Sequence, residues 1–366
     1  MSRRSVLSWL AAGAAGVASA CSAKAPQSAA SIRGLPRMPE EGLPHTRTFM
    51  AWPAPSGPWG ADLPAVREDI ARLAKAIARF EPVVLAAGPD EVETARTACG
   101  GSVEVLAVPV DDLWMRDTGP TFVLTGSGLA GVDTNFNGWG GKQSHSQDRQ
   151  VARRLLEHYG IPRITAPLVT EGGSLEVDGH GTLMATESSI VNVNRNPGRT
   201  RDGLETDLKN LLGVQKVIWF PGIRGADITD GHIDGLTRFA GTGTVLLGKP
   251  GPGAGPAETG QYQQAREILA ASTDATGRTP DIVDLTEPDW AELDSPGDEF
   301  LASYINYYVA NGAVIAPAFG DRAADQRAAG VLGELYPGRE IVGVRIDTLA
   351  EGGGGIHCAT QQQPAA

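Results

Sequence analysis

Cysteine is scarce in this sequence: three in 366 residues, Cys21, Cys99 and Cys358, far apart and without a CxxC pair. That spacing excludes a disulfide framework and offers no zinc cluster, so each thiol needs its own explanation. Histidine is nearly as scarce at six, with no HExxH stretch, and a three-ligand catalytic metal site is hard to assemble from them. Positive charge is in deficit, 31 Lys and Arg against 43 Asp and Glu, for a formal net charge of −12. Nucleic acid is disfavoured as a partner, because its affinity comes from Lys and Arg neutralising phosphates, whereas a cationic substrate is electrostatically easy. Beyond Ala20 no apolar run is long enough for a membrane helix. What is present, 41% hydrophobic and 20% charged residues, is the composition of a globular chain with a substantial buried core.

Ser2-Arg3-Arg4-Ser5 and the uncharged Ala/Gly/Leu-rich run to Ala20 make a basic region followed by a short apolar one, the pattern of a signal peptide over residues 1–20. The arginine pair resembles a twin-arginine export signal. Ala18-Ser19-Ala20-Cys21 resembles a bacterial lipobox, in which cleavage leaves the cysteine to take a lipid anchor; the plainer alternative is that Cys21 departs with the leader. Residues 21–36, rich in Ala, Ser and Pro, suit a tether. An exported protein is expected, either a cell-envelope lipoprotein or secreted, meeting a membrane only through Cys21.

Residues 37–366 alternate helical and strand patterns without a dividing linker, which predicts one α/β domain. Val66, Ile70, Leu73 and Ile77 recur at helical spacing behind Pro64, a second helix opens after Pro89, and others fall near 147–159, 202–212, 261–272 and 322–335. The clearest strands are Pro82–Ala87, Val103–Val108, Thr121–Leu124, Leu183–Ala185, Lys216–Phe220, Val245–Leu247, Ile282–Leu285, Ala313–Pro317 and Ile341–Ile346. Two or three short strands per helix fit a recurring strand–strand–helix–strand unit better than a Rossmann sheet or a TIM barrel. Gly251–Pro256 superficially matches a phosphate loop, but its prolines and the lack of a strand-to-helix setting predict a surface turn.

Chemistry concentrates in Gly-rich stretches just past apolar runs, where strands end. His232 and Asp234 in Asp230-Gly-His-Ile-Asp-Gly235 are two apart, so on an extended strand both project from one face. That pairing suits joint action on a substrate, a structural hydrogen bond, or half a metal site. Asp117 before Thr118-Gly119-Pro120, and Glu171 in Glu171-Gly-Gly-Ser174, are ambiguous alone. Cys358 is harder to explain as core, because the glycines before Ile356-His357-Cys358 let backbone approach a ligand closely. A thiol is mostly protonated at neutral pH, so attack needs a nearby base or positive charge, and a cationic substrate supplies one.

Taken together, six stretches resemble the agmatine deiminases of the guanidine-modifying superfamily, related to the arginine and peptidylarginine deiminases. They are Met38-Pro-Glu-Glu41 with Phe49-Met-Ala-Trp-Pro53, Trp114-Met-Arg-Asp-Thr-Gly-Pro120, Phe136-Asn-Gly-Trp-Gly-Gly141, Glu171-Gly-Gly-Ser174, Gly231-His-Ile-Asp-Gly235 and Gly354-Gly-Ile-His-Cys-Ala-Thr-Gln361. The resemblance implies an α/β propeller of five strand–strand–helix–strand blades about a pseudo-fivefold axis, with the site in the central channel. It implies Cys358 as nucleophile, His232 as general acid/base, Asp117 and Asp234 as the carboxylates gripping a guanidinium, and Glu171 contacting the same group or orienting His232. Trp114 would pack on the substrate's aliphatic arm and Trp139 would line the entrance. The reaction implied is deimination of a small cationic guanidino substrate, agmatine to N-carbamoylputrescine and ammonia, with no metal or organic cofactor. Gly42 stands where the family usually carries an aromatic residue, and the export leader keeps an exported arginine or peptidylarginine deiminase open as an alternative; the Thr118-Gly119-Pro120 wording favours the agmatine branch. A reading of another class, a lipid-anchored guanidine-binding protein without turnover, gives the nucleophile no purpose. Cys99 is left as a structural thiol.

Overall fold

The computed structural model describes residues 36–294 and 296–365; the leader, Cys21 and residues 21–35 of the tether lie outside them. Sixteen strands follow in chain order among the described residues: β1 (His45–Ala51), β2 (Val83–Ala87), β3 (Val103–Ala107), β4 (Thr121–Thr125), β5 (Gly128–Asp133), β6 (Arg163–Thr165), β7 (Glu176–Val177), β8 (Thr182–Thr186), β9 (Lys216–Phe220), β10 (Thr237–Phe239), β11 (Thr244–Lys249), β12 (Asp281–Thr286), β13 (Tyr308–Ala310), β14 (Ala313–Ala318), β15 (Glu340–Arg345) and β16 (Gln361–Pro364). They form five sheets, β16-β1-β2-β3, β4-β5-β6, β7-β8-β9, β10-β11-β12 and β13-β14-β15.

Each three-stranded sheet repeats one pattern: an antiparallel pair, then a parallel partner reached through a helix. The crossover helices are Val151–Tyr159, Arg201–Leu212, Pro256–Ala271 and Arg322–Leu335. A parallel pair cannot be closed by a tight hairpin, so the helix is the connection the pairing demands. The first sheet is assembled from both ends of the chain. β16 lies antiparallel to β1, while β2 and β3 add in parallel through the helices Leu63–Ile77 and Val92–Cys99.

Local sequence explains the elements. Every residue of β2 and β8 is buried, as expected of strands covered on both faces. Val66, Ile70, Leu73 and Ile77 of the first helix are buried on one stripe against the first sheet. Thr200 caps Arg201–Leu212 by accepting from Gly203 N at 3.2 Å, and Asp321 caps Arg322–Leu335 by accepting from Ala323 N and Ala324 N at 3.1 and 3.0 Å. Cys99 closes its helix fully buried, and burial pushes its thiol up to about 11. The Gly251–Pro256 stretch contains the largely exposed turn expected of it, although, against expectation, it does join a strand, β11, to the helix Pro256–Ala271. Gly251 is needed there because a Cβ would collide with the carbonyl of Pro288.

Candidate active site

One loop from each connection between successive sheets reaches the same place. Asp117 sits in the helical turn Met115–Thr118 between β3 and β4, and Glu171 opens the turn before Gly172–Ser174 between β6 and β7. His232 and Asp234 flank Ile233 between β9 and β10, Asn306 lies between β12 and β13, and Cys358 lies between β15 and β16. The extended strand on which their spacing would set His232 and Asp234 is not found there. His232 precedes the 3-10 turn Ile233–Gly235, and both side chains nonetheless lie beside Gly173.

The Asp117 carboxylate accepts from Trp139 Nε1 at 2.9 Å and from Gly173 N at 2.9 Å, and its Oδ2 lies 3.7 Å from His232 Nδ1. Glu171 meets His232 Nε2 at 3.3 Å through one oxygen and accepts from Arg195 Nε at 3.0 Å through the other. Arg195 is itself fixed by Asp230 and by the Thr229 carbonyl, the latter at 2.9 Å. Asp234 Oδ2 accepts from His357 Nδ1 at 2.7 Å and lies 3.6 Å from Cys358 Sγ. Asn306 Nδ2 donates to Cys358 Sγ at 3.2 Å, while its Oδ1 accepts from Cys358 N at 3.2 Å. Cys358 is partly exposed, whereas Asp117, Glu171, Asp234 and Asn306 are buried.

Gly173 shapes the space among these groups. A Cβ there would stand 2.5 Å from His232 Nδ1 and 3.1 Å from both Asp117 Oδ1 and Asp234 Oδ2. Any side chain at this position would enter the volume that the imidazole and the two carboxylates surround.

The electrostatics divide the acids. Burial raises Asp117, helped by the charges of Glu171 and Asp234 and opposed by His232. Burial also acts upward on Glu171 and Asp234, but the carboxyls end below their usual range, Glu171 through His232 and Arg195, Asp234 through His357, His232 and Arg116. For His232 burial acts downward and is outweighed by Asp117, Glu171 and Asp234, which lift the imidazole to about 9. Burial, then the charges of Asp234 and Asp117, hold the Cys358 thiol well above its ordinary value. Both shifts favour the protonated forms, a thiol beside an imidazolium.

Trp114, expected along the substrate arm, is buried with its ring centroid 6.1 Å from that of Trp59. The two rings line a cavity of about 750 Å³ with Gln143, Ile228, Glu299 and Glu351. Trp139, expected at the entrance, is 2% exposed and acts on Asp117 through its indole N–H. Its φ of 52° is a left-handed conformation rare for a bulky residue, held in the turn Gly138–Gly141. Asn306, Arg195, Gly173 and the pair His357 and Glu41 had no role assigned from sequence. Glu41, Gly173 and His357 lie within the stretches that carry the resemblance, whereas Asn306 and Arg195 lie outside them.

The chain matches the model of the Porphyromonas-type peptidyl-arginine deiminase family over residues 37–364. It belongs to that family. Among its relatives, the agmatine deiminase of Stutzerimonas stutzeri is 39% identical over 90% of this chain and 95% of its own length. That of Medicago truncatula is 37% identical over 90% and 96%. The solved structure of the agmatine deiminase of Enterococcus faecalis superposes with a TM-score of 0.83 at 31% identity, covering 90% of this chain and 96% of that one.

Proposed function

We propose that this protein hydrolyses the guanidino group of agmatine, giving N-carbamoylputrescine and ammonia through a covalent intermediate on Cys358. The observation that carries this reading is the cluster about Gly173, where the His232 imidazole and the Asp117 and Asp234 carboxylates converge and the Cys358 thiol lies 3.6 Å from Asp234 Oδ2. A guanidinium offers directional N–H donors, and Asp117 and Asp234 are placed to grip it through charge-assisted hydrogen bonds while turning its carbon toward the sulfur. Its positive charge offsets the same carboxylates that hold the thiol up, so substrate arrival favours the thiolate, with the thiol proton lost to solvent.

The Cys358 thiolate then forms a bond to the guanidinium carbon, with Asn306 Nδ2 steadying the sulfur. His232, protonated at rest, gives its proton to the departing nitrogen. The C–N bond breaks, ammonia leaves and an S-alkylthiouronium remains. Neutral His232 next takes a proton from water as its oxygen attacks the same carbon; collapse then breaks the C–S bond, the remaining hydroxyl proton passes to the sulfur, and the ureido product leaves with Cys358 restored as the thiol. Glu171, clamped by Arg195, orients His232 from behind.

We further infer that the five sheets are blades about a common axis, supported by one site loop coming from each inter-sheet connection. Export through residues 1–20, with a lipid anchor at Cys21, is proposed from the leader sequence alone. The decisive experiment incubates the purified protein and Cys358→Ala with agmatine, arginine and arginine peptides, following ammonia and ureido product. Agmatine turnover by the unaltered protein and none by Cys358→Ala is expected. Normal turnover by the variant refutes the mechanism, and faster turnover of arginine peptides refutes the substrate.

A further inference from the structure

Two motif residues have no part in the reaction as described: Glu41, in the opening Met38-Pro-Glu-Glu41, and His357, beside the nucleophile. Although 316 positions apart, they are bonded, His357 Nε2 to Glu41 Oε2 at 2.9 Å. The other ring nitrogen, Nδ1, meets Asp234 Oδ2 at 2.7 Å. A neutral imidazole has one N–H donor, so carboxylate oxygens at both nitrogens suit the doubly protonated ring. Glu41 is locked in turn: its Oε1 accepts from Val309 N at 2.8 Å and meets Arg238 Nη2 at 3.1 Å, and its Oε2 meets Arg116 Nη2 at 3.2 Å.

We infer that Glu41 and His357 form a positioning relay that orients the Asp234 carboxylate and keeps an imidazolium behind it, so that Asp234 meets the substrate as an anion. The inference rests on the guanidine-hydrolase reading given above. The alternative role for this pair is ordinary packing of a buried histidine. Packing needs neither two carboxylates on one ring nor a two-arginine clamp on the outer carboxylate.

The charged surroundings are well defined. Arg116, from the turn Met115–Thr118, donates from Nε to the His357 carbonyl at 3.2 Å. Arg238 of β10 contacts Glu176 of β7 at 3.3 Å as well as Glu41, and its guanidinium lies over the Tyr307 ring, 4.5 Å from the centroid. Across the pocket Asp234 feels His232, Asp117 and the Cys358 thiol. Burial alone would push Asp234 up, and the hydrogen bond and charge of His357 are the leading effects that bring it down. Removing that cation therefore raises Asp234, and the acidic limb of the activity profile moves to higher pH.

His357→Asn tests this directly, because its amide still has a donor for Asp234 but carries no charge. With agmatine, KM should rise roughly 10- to 100-fold, the factor set by weakening one charge-assisted hydrogen bond, while kcat falls less and the acidic limb of kcat/KM shifts upward. Glu41→Gln should act in the same direction by a smaller factor, and it decides the matter by the same measurements if His357→Asn is insoluble. Thermal unfolding of each variant separates misfolding from mispositioning, since lost packing alone does not move a pH limb. A folded His357→Asn protein with unchanged KM and an unmoved limb overturns this inference and leaves the reaction standing. Absence of any guanidine turnover by the unaltered protein overturns both.

Discussion

Gly173→Ala adds one methyl group at the centre of the proposed site. The backbone of Gly173 lies outside the left-handed region, so alanine is conformationally acceptable and any effect comes from the space its Cβ takes. That Cβ would stand 2.5 Å from His232 Nδ1, whereas non-bonded heavy atoms settle at about 3.5 Å, leaving an overlap of about 1 Å. The imidazole has little room to yield, being buried and bonded to a Glu171 that Arg195 holds from behind. Overpacking of this kind costs about 1–3 kcal/mol of stability, which a folded enzyme can tolerate.

The catalytic loss should be larger. The methyl group also lies 3.1 Å from Asp117 Oδ1 and Asp234 Oδ2, so it competes for the space where a guanidinium would lie. Displacement of reacting groups by about 1 Å costs around 10²-fold, and kcat/KM for agmatine should fall by at least that much. Ammonia release measured beside thermal unfolding separates the two effects. Gly88→Ala is the control, because a Cβ there meets no atom within 4 Å and the φ of −54° is ordinary. A Gly173→Ala protein with unchanged kcat/KM refutes the placement of the guanidinium over Gly173.

Two further outcomes follow from the same geometry. Asn306→Ala removes a donor to the sulfur and should slow iodoacetamide alkylation of the Cys358 peptide at neutral pH by about tenfold, because a hydrogen bond to a charged group contributes about 1.5 kcal/mol or more; an unchanged rate counts against that contact. Glu171→Gln weakens the support for the His232 imidazolium, which is present below about 9 and lost as pH rises through that value, so the basic limb of kcat/KM should move to lower pH. A basic limb that stays in place would mean that it reports some other group.

Much of the frame was legible in sequence because its longer elements are local patterns. Lys216–Phe220 and Arg322–Leu335 fall where a short apolar run and a helical pattern put them. Two of the strands that were missed have little local signature. β7 is two residues long, and β16 is Gln361-Gln-Gln-Pro364, a polar run that reads as a tail yet is buried through pairing with β1 at the other end of the chain. In the site, acids and thiol beside glycines were visible, since those residue types are conspicuous past apolar runs. The roles of Asn306, Arg195 and Glu41 were not, because each acts through a partner far away in sequence: Asn306 on Cys358, Arg195 on Glu171, Glu41 on His357. A tertiary contact of that kind leaves no spacing to read.

The partners of the three site carboxylates also explain why the overall acidity of the chain is not what selects a cation. Glu171 is matched by Arg195 and His232, and Asp234 by His357, all charged or chargeable groups. Asp117 receives its two hydrogen bonds from neutral donors, the Trp139 indole and the Gly173 amide, with His232 only at 3.7 Å. The directions of their pKa shifts sort the same way: Asp117 is raised while Glu171 and Asp234 are lowered. Asp117 is thus the carboxylate whose charge the protein compensates least, and a bound guanidinium would supply the missing counter-charge there. The same cation relieves Cys358, whose thiol is held up partly by Asp117 and Asp234. Recognition and activation would then be one event, because the charge that completes the proposed binding site would also be the charge that makes the sulfur a nucleophile.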